Sequence, residues 1–99
     1  MFRFIIKNEN LICRFAKHMD SLACAKWEEK GYKKIHDKKM PVIFDLNKVE
    51  YVSSLFLNVC VKALKRAGQD NFTVINASEN VKKIFTISGL DKLIKFKEA

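Results

Sequence analysis

Val42-Ile43-Phe44-Asp45-Leu46 is a β-branched and aromatic run with one acid at its end, followed after a short connection by Ser53-Ser54-Leu55-Phe56-Leu57. The first segment is too short and too uniformly apolar for a surface helix. It reads as a central strand buried on both faces. The paired serines can cap a helix, since a hydroxyl there accepts a hydrogen bond from an otherwise orphaned N–H of the first turn. Leu57, Cys60, Val61 and Leu64 recur at helical spacing and mark the expected inward face, with Lys65 and Arg66 suiting the negative C-terminal end before Ala67-Gly68. Val49 to Val52 is expected to cross the sheet edge between strand and helix.

The same reading extends outward. Toward the C-terminus, Phe72-Thr73-Val74-Ile75 is a strand, Ser78 caps a helix with Val81, Ile84, Phe85 and Ser88 on one face, Gly89 ends it, and Leu93 to Phe96 is a last strand. Toward the N-terminus, Phe2–Ile6 and Leu11–Phe15 flank the turn Lys7-Asn8-Glu9-Asn10 and form a hairpin. Asp20-Ser21 caps a helix running to about His36, with Ala23, Cys24, Trp27 and Ile35 as its core stripe. His36 to Met40 is a basic loop, and Pro41 opens the central strand. From Pro41 onward strands and helices alternate, so the expected fold class is α/β: a mixed, mostly parallel sheet of about five strands with crossover helices. No linker or repeat interrupts residues 1–99, which read as one domain.

Composition narrows the function classes. The 99 residues are 48% hydrophobic and 30% charged, with 3 Gly and 1 Pro, excluding a disordered or collagen-like chain. The apolar runs are too short for a membrane span, and no small-residue cleavage site follows the first of them, so a cytoplasmic protein without membrane insertion is expected. Cys13, Cys24 and Cys60 are odd in number and never in CxxC spacing, and His18 and His36 add no ligand pattern. No disulfide framework, metal site or cofactor is therefore indicated. The net charge is +8, spread evenly: 11 bases and 7 acids in residues 1–50, 8 and 4 in residues 51–99. That spread describes a solvated lysine-rich surface and gives no dedicated nucleic-acid face. The glycines at 31, 68 and 89 are too scattered to cradle a phosphate, and no catalytic grouping of Ser, His, Asp or Cys occurs, so no enzyme is indicated.

Taken together, the Asp45-Leu46 strand end, the Val49-Glu50-Tyr51 step and Ser53-Ser54 at a helix start resemble the STAS domain of bacterial anti-sigma factor antagonists. His18-Met19-Asp20-Ser21 is similar to the segment before that family's first helix. Val74-Ile75-Asn76-Ala77-Ser78 resembles its passage into the third helix, and Ser88-Gly89-Leu90-Asp91-Lys92-Leu93 its C-terminal element. The family's Asp before the serine is Ser53 here, and its Gly after it is Phe56.

The resemblance implies an interaction switch that binds an anti-sigma factor with serine kinase activity. Ser54 falls on the phosphorylated position, with Ser53 as the neighbouring candidate, and Asp20, Ser53, Ser54, Leu55, Phe56 and Asn58 form the implied partner-binding set. A phosphate there is held by the helix N-terminus and adds about −1.5 to −2 charges at the contact surface. The residues themselves leave alternatives open: Ser53 and Ser54 as plain caps, Leu55 and Phe56 as core or as an exposed apolar patch. A second reading of the same fold is an unphosphorylated accessory subunit bound to a membrane-transporter ATPase.

Overall fold

The computed structural model describes residues 2–98, so the ends of the expected 1–99 unit, Met1 and Ala99, lie outside the described residues. Strands β1 (Arg3–Lys7) and β2 (Asn10–Arg14) form the N-terminal hairpin, with Asn8 and Glu9 in left-handed backbone at the turn. A two-residue strand β3 (His18–Met19) leads into helix α1 (Ser21–Lys38). Then follow β4 (Val42–Asp45), another two-residue strand β5 (Tyr51–Val52), and helix α2 (Ser54–Ala67). Strand β6 (Phe72–Ile75), helix α3 (Glu79–Ile87) and β7 (Lys95–Lys97) complete the chain. The main sheet has the order β1-β2-β4-β6-β7; only β1 and β2 are antiparallel. The α/β class and the mostly parallel five-stranded sheet are as expected, with β4 at its centre.

Register explains where the core lies. Phe4, Cys13, Phe44, Val74 and Phe96 stand abreast on neighbouring strands, so their side chains share one face. All three helices pack on that face: Trp27 of α1 lies 5.5 Å from Phe44, Phe56 of α2 lies 6.3 Å from it, and Phe85 of α3 lies 5.1 Å from Phe96. A sheet that grows always in one direction through right-handed crossovers puts every helix on the same side. The alternate row, Ile5, Ile12, Ile43, Thr73 and Lys95, faces away from the helices, and Ile5, Ile12, Ile43 and Thr73 are only half-buried. The expectation that the central strand is buried on both faces therefore holds for Val42, Phe44 and Asp45 but not for Ile43.

Two boundaries, one short strand and one helix face differ from the sequence reading. Helix α1 continues past His36 to Lys38, where His36 and Lys38 favour the negative helix end, and Lys39 (φ 50°) closes it in left-handed backbone. Residues Leu90–Lys92 form a 3₁₀ turn, which delays the last strand from Leu93 to Lys95. Segment 49–52 contains a strand, β5, paired with β3. Helix α2 is rotated relative to expectation: Phe56, Val59, Cys60, Ala63 and Leu64 are buried, whereas Leu57 and Val61 are half-buried flanks.

The three thiols are buried and free. Burial pushes the Cys13 thiol from 9.0 up to about 12 and raises Cys60 well above the usual thiol range. The folded protein thus keeps its proton where the unfolded chain has lost it. Stability from these neutral thiols is complete below about pH 9 and falls as pH rises toward the folded value. Thermal melts are expected to show the Tm declining steadily above that point. A thiol reagent should label the native cysteines slowly at about pH 8 and all of them rapidly in denaturant.

Candidate functional site at the starts of the first two helices

The β3–β5 ribbon is the device that builds the site. His18 pairs with Tyr51 and Met19 with Val52, in parallel register. The Lys17 carbonyl accepts from the Glu50 and Tyr51 N–H groups at 2.8 and 3.2 Å, and the Met19 carbonyl accepts from the Ser53 N–H at 3.0 Å. Each short strand runs straight into a helix, so the pairing sets the N-termini of α1 and α2 side by side.

Asp20 caps α1: its Oδ1 accepts from the Ala23 N–H at 3.0 Å, and the side chain stays exposed. Ser53 caps α2 and is consumed by that role. Its hydroxyl donates to the Met19 carbonyl at 2.9 Å and accepts from the Phe56 N–H at 3.3 Å, with Cys24 Sγ 3.8 Å away. Burial raises the Cys24 thiol, with the Ser53 contact opposing the shift and Glu28 and Asp20 adding to it. Ser54, by contrast, is the first residue of the helix and is exposed, and the first turns of both helices contain no acid. Asn58 is exposed one turn further on, beside Ser54 on the helix surface.

The apolar part of this surface differs from expectation. Phe56 is fully buried, with ring centroids 5.1 Å from Phe15 and 6.3 Å from Phe44. It is core, and the expectation that it contributes to partner binding is corrected. The cap explains this: anchoring Ser53 to Met19 fixes the rotation of α2 so that its third residue points at the sheet. Leu55 is turned outward and is 44% exposed. Two residues that sequence reasoning did not select join it, Leu22 at 65% and Tyr51 at 50% exposure, with the His18 ring 6.5 Å from that of Tyr51. Leu22 could have been found from its helical phase, since it falls off the Cys24–Trp27–Gly31–Ile35 stripe. Tyr51 carried no such signal, because its orientation depends on a strand pair between distant segments.

Asp45 is the last residue of the central strand β4 and is 6% exposed. Its carboxylate accepts from Arg14 Nε at 3.2 Å, the Asn47 N–H at 3.0 Å and Asn76 Nδ2 at 3.1 Å, so three segments converge on it. Among the described residues no group of three or more His, Cys, Asp or Glu side chains is placed to hold a metal ion, and no helix is long and apolar enough to cross a membrane.

An Asp-ended central strand, a capped serine pair and a short ribbon joining two helix starts now stand in one structure, and the sequence matches the STAS domain family over residues 3–99. The chain belongs to the STAS domain family. No curated protein sequence matches it. Among solved structures, this STAS domain is similar to the unphosphorylated form of the anti-sigma factor antagonist SpoIIAA. The TM-score is 0.81 at 17% identity, covering 100% of this chain and 88% of that one. It is also similar to the phosphorylated form of the Bacillus cell fate determinant SpoIIAA, with TM-score 0.74, 15% identity, and 100% and 91% coverage. An anti-sigma factor antagonist from Mycobacterium paratuberculosis gives TM-score 0.83 at 17% identity, with 97% and 83% coverage. At these identities the likeness establishes the fold of this STAS domain.

Proposed function

We propose that this STAS domain is a partner-switching module of the anti-sigma factor antagonist type, a binding protein without catalysis of its own. It docks an anti-sigma factor with serine kinase activity on the surface formed by Asp20, Leu22, Tyr51, Ser54, Leu55 and Asn58, and phosphorylation of Ser54 ends the contact. The observation that carries the reading is the division of labour between the serines. Ser53 is tied to Met19 and Phe56, while Ser54 is exposed at a helix start. A phosphate on Ser54 sits where free N–H groups and the helix dipole favour negative charge. It also places about −1.5 to −2 charges beside Leu22 and Leu55, where an apolar partner surface would be desolvated. Structures of SpoIIAA in unphosphorylated and phosphorylated forms lend this reading support.

The test is to recover the protein from its native cells under phosphatase inhibition and measure intact mass and co-purifying partners together. The expected result is one added phosphate that disappears in Ser54→Ala but persists in Ser53→Gly, with an ATP-binding anti-sigma partner confined to the unphosphorylated pool. In the same pull-down, Ser54→Asp should lose most of the partner. An unmodified protein bound to a transporter ATPase would replace this reading with the accessory-subunit one.

A further inference from the structure

A cleft of about 300 Å³ opens where β2, β4 and β6 end, between Arg3, Arg14, Asp45, Asn47, Lys48 and Asn76, with the Phe15 ring also on its wall. It shares Arg3, Phe15, Asn47 and Lys48 with a neighbouring hollow of about 500 Å³ that adds Lys17 and Glu50 to the lining. Its lining comes from the carboxyl ends of these three parallel strands and the segments that follow them. The hairpin supplies one further cation, because antiparallel pairing sets Arg3 of β1 abreast of Arg14 at the end of β2.

The charges of this cleft are unbalanced and its frame is held. Asp45 is the one buried charged residue among those described, and its carboxylate is engaged by Arg14, Asn47 and Asn76. That engagement uses only Nε of Arg14, leaving the outer nitrogens of a half-exposed guanidinium unpaired among the described residues. The side chains of Arg3 and Lys48 have no hydrogen-bond or ion-pair partner among the described residues. Asn76 holds left-handed backbone (φ 60°), with its amide fixed to Asp45. Three cations thus face one carboxylate that is already neutralised, in a cleft of small-molecule size with the Asn76 amide, held by Asp45, on its rim. Guanidinium forks and an ammonium in this arrangement suit a tetrahedral oxyanion.

We propose that this cleft is a binding site for a small phosphate-monoester ligand, held by Arg3, Arg14 and Lys48, independent of the serine site on α2. Arg14 is a direct ligand whose orientation Asp45 sets.

The experiment is amide NMR titration of the full chain with inorganic phosphate, glycerol 3-phosphate, and phosphatidylcholine vesicles with and without phosphatidic acid. Saturable shifts are expected at Arg3, Arg14, Asn47, Lys48 and Asn76, with glycerol 3-phosphate binding more tightly than inorganic phosphate. Arg3→Ala/Lys48→Ala should weaken this by roughly tenfold or more, with an unchanged Tm because both side chains are exposed. Lys33→Ala, far from the cleft, should leave it unaltered. Response only to phosphatidic acid vesicles, lost in the double variant, would assign the same phosphate chemistry to a lipid headgroup. Shifts spread over all surface lysines, or retained in the double variant, would overturn the site.

Discussion

Phe56→Ala is expected to destabilise the protein by about 3–5 kcal/mol, the usual cost of emptying a large aromatic site in a packed core. Phe56 is fully buried and sits edge-on to Phe15, which in turn contacts Phe44 at 4.7 Å and Trp27 at 5.7 Å. Truncating it leaves a void between α2 and the sheet that these rings cannot close without leaving one another. The neighbouring Leu55→Ala supplies the contrast. Leu55 is 44% exposed, so its removal should change stability by less than about 0.5 kcal/mol while weakening partner capture. Urea denaturation of both variants separates the roles. Equal stability losses at the two positions would mean that the rotation of α2 is wrong.

Gly31→Ala is the second large effect, and its sign runs against helix propensity. In an exposed helix this exchange gains about 1 kcal/mol. Here a Cβ at position 31 would stand 2.4 Å from the Trp27 ring one turn earlier on α1, closer than any real contact. The ring cannot swing away, because Phe4, Phe15, Tyr32 and Phe44 surround it at centroid distances of 5.3 to 6.3 Å. Overpacking against so rigid a neighbour costs about 3 kcal/mol. The net loss should be about 2 kcal/mol, read as a lower urea midpoint with unchanged m-value. A Trp27→Leu/Gly31→Ala double variant should recover part of the overpacking loss measured against Trp27→Leu alone. A stabilised Gly31→Ala protein would show that α1 does not seat Trp27 over that glycine.

Much of the fold is local in origin and was therefore legible. Asp20, Ser53 and Ser78 each accept an N–H three residues on, as caps do, and each could be assigned from its place before an apolar stretch. The hairpin followed from two apolar runs around a polar turn, and the central strand from Val42 to Asp45 followed from its composition. The phase of α2 was less determined. Apolar residues occupy Leu55, Phe56, Leu57, Val59, Cys60 and Val61, so periodicity admits more than one inward face. The last strand was read two residues early because nothing in Leu90-Asp91-Lys92 distinguishes a 3₁₀ turn from a loop.

What the amino-acid sequence determined by itself is the order of strands and helices, their caps, and the rows of apolar residues that become the core. These depend on neighbours within a turn or a strand. Tertiary structure alone decided the layout of the candidate site. Strands of two residues carry no periodic signal, so the pairing of His18–Met19 with Tyr51–Val52 exists only once the sheet and α1 have formed. That pairing ties Ser53 to Met19, frees Ser54, turns Phe56 inward and gathers Leu22, Tyr51 and Leu55 at one edge. Likewise Arg3, Arg14, Asp45 and Asn76 are far apart in the chain, and only strand register brings them to a common cleft. Local chemistry chooses the elements, whereas contacts between distant segments choose which face of each element meets solvent.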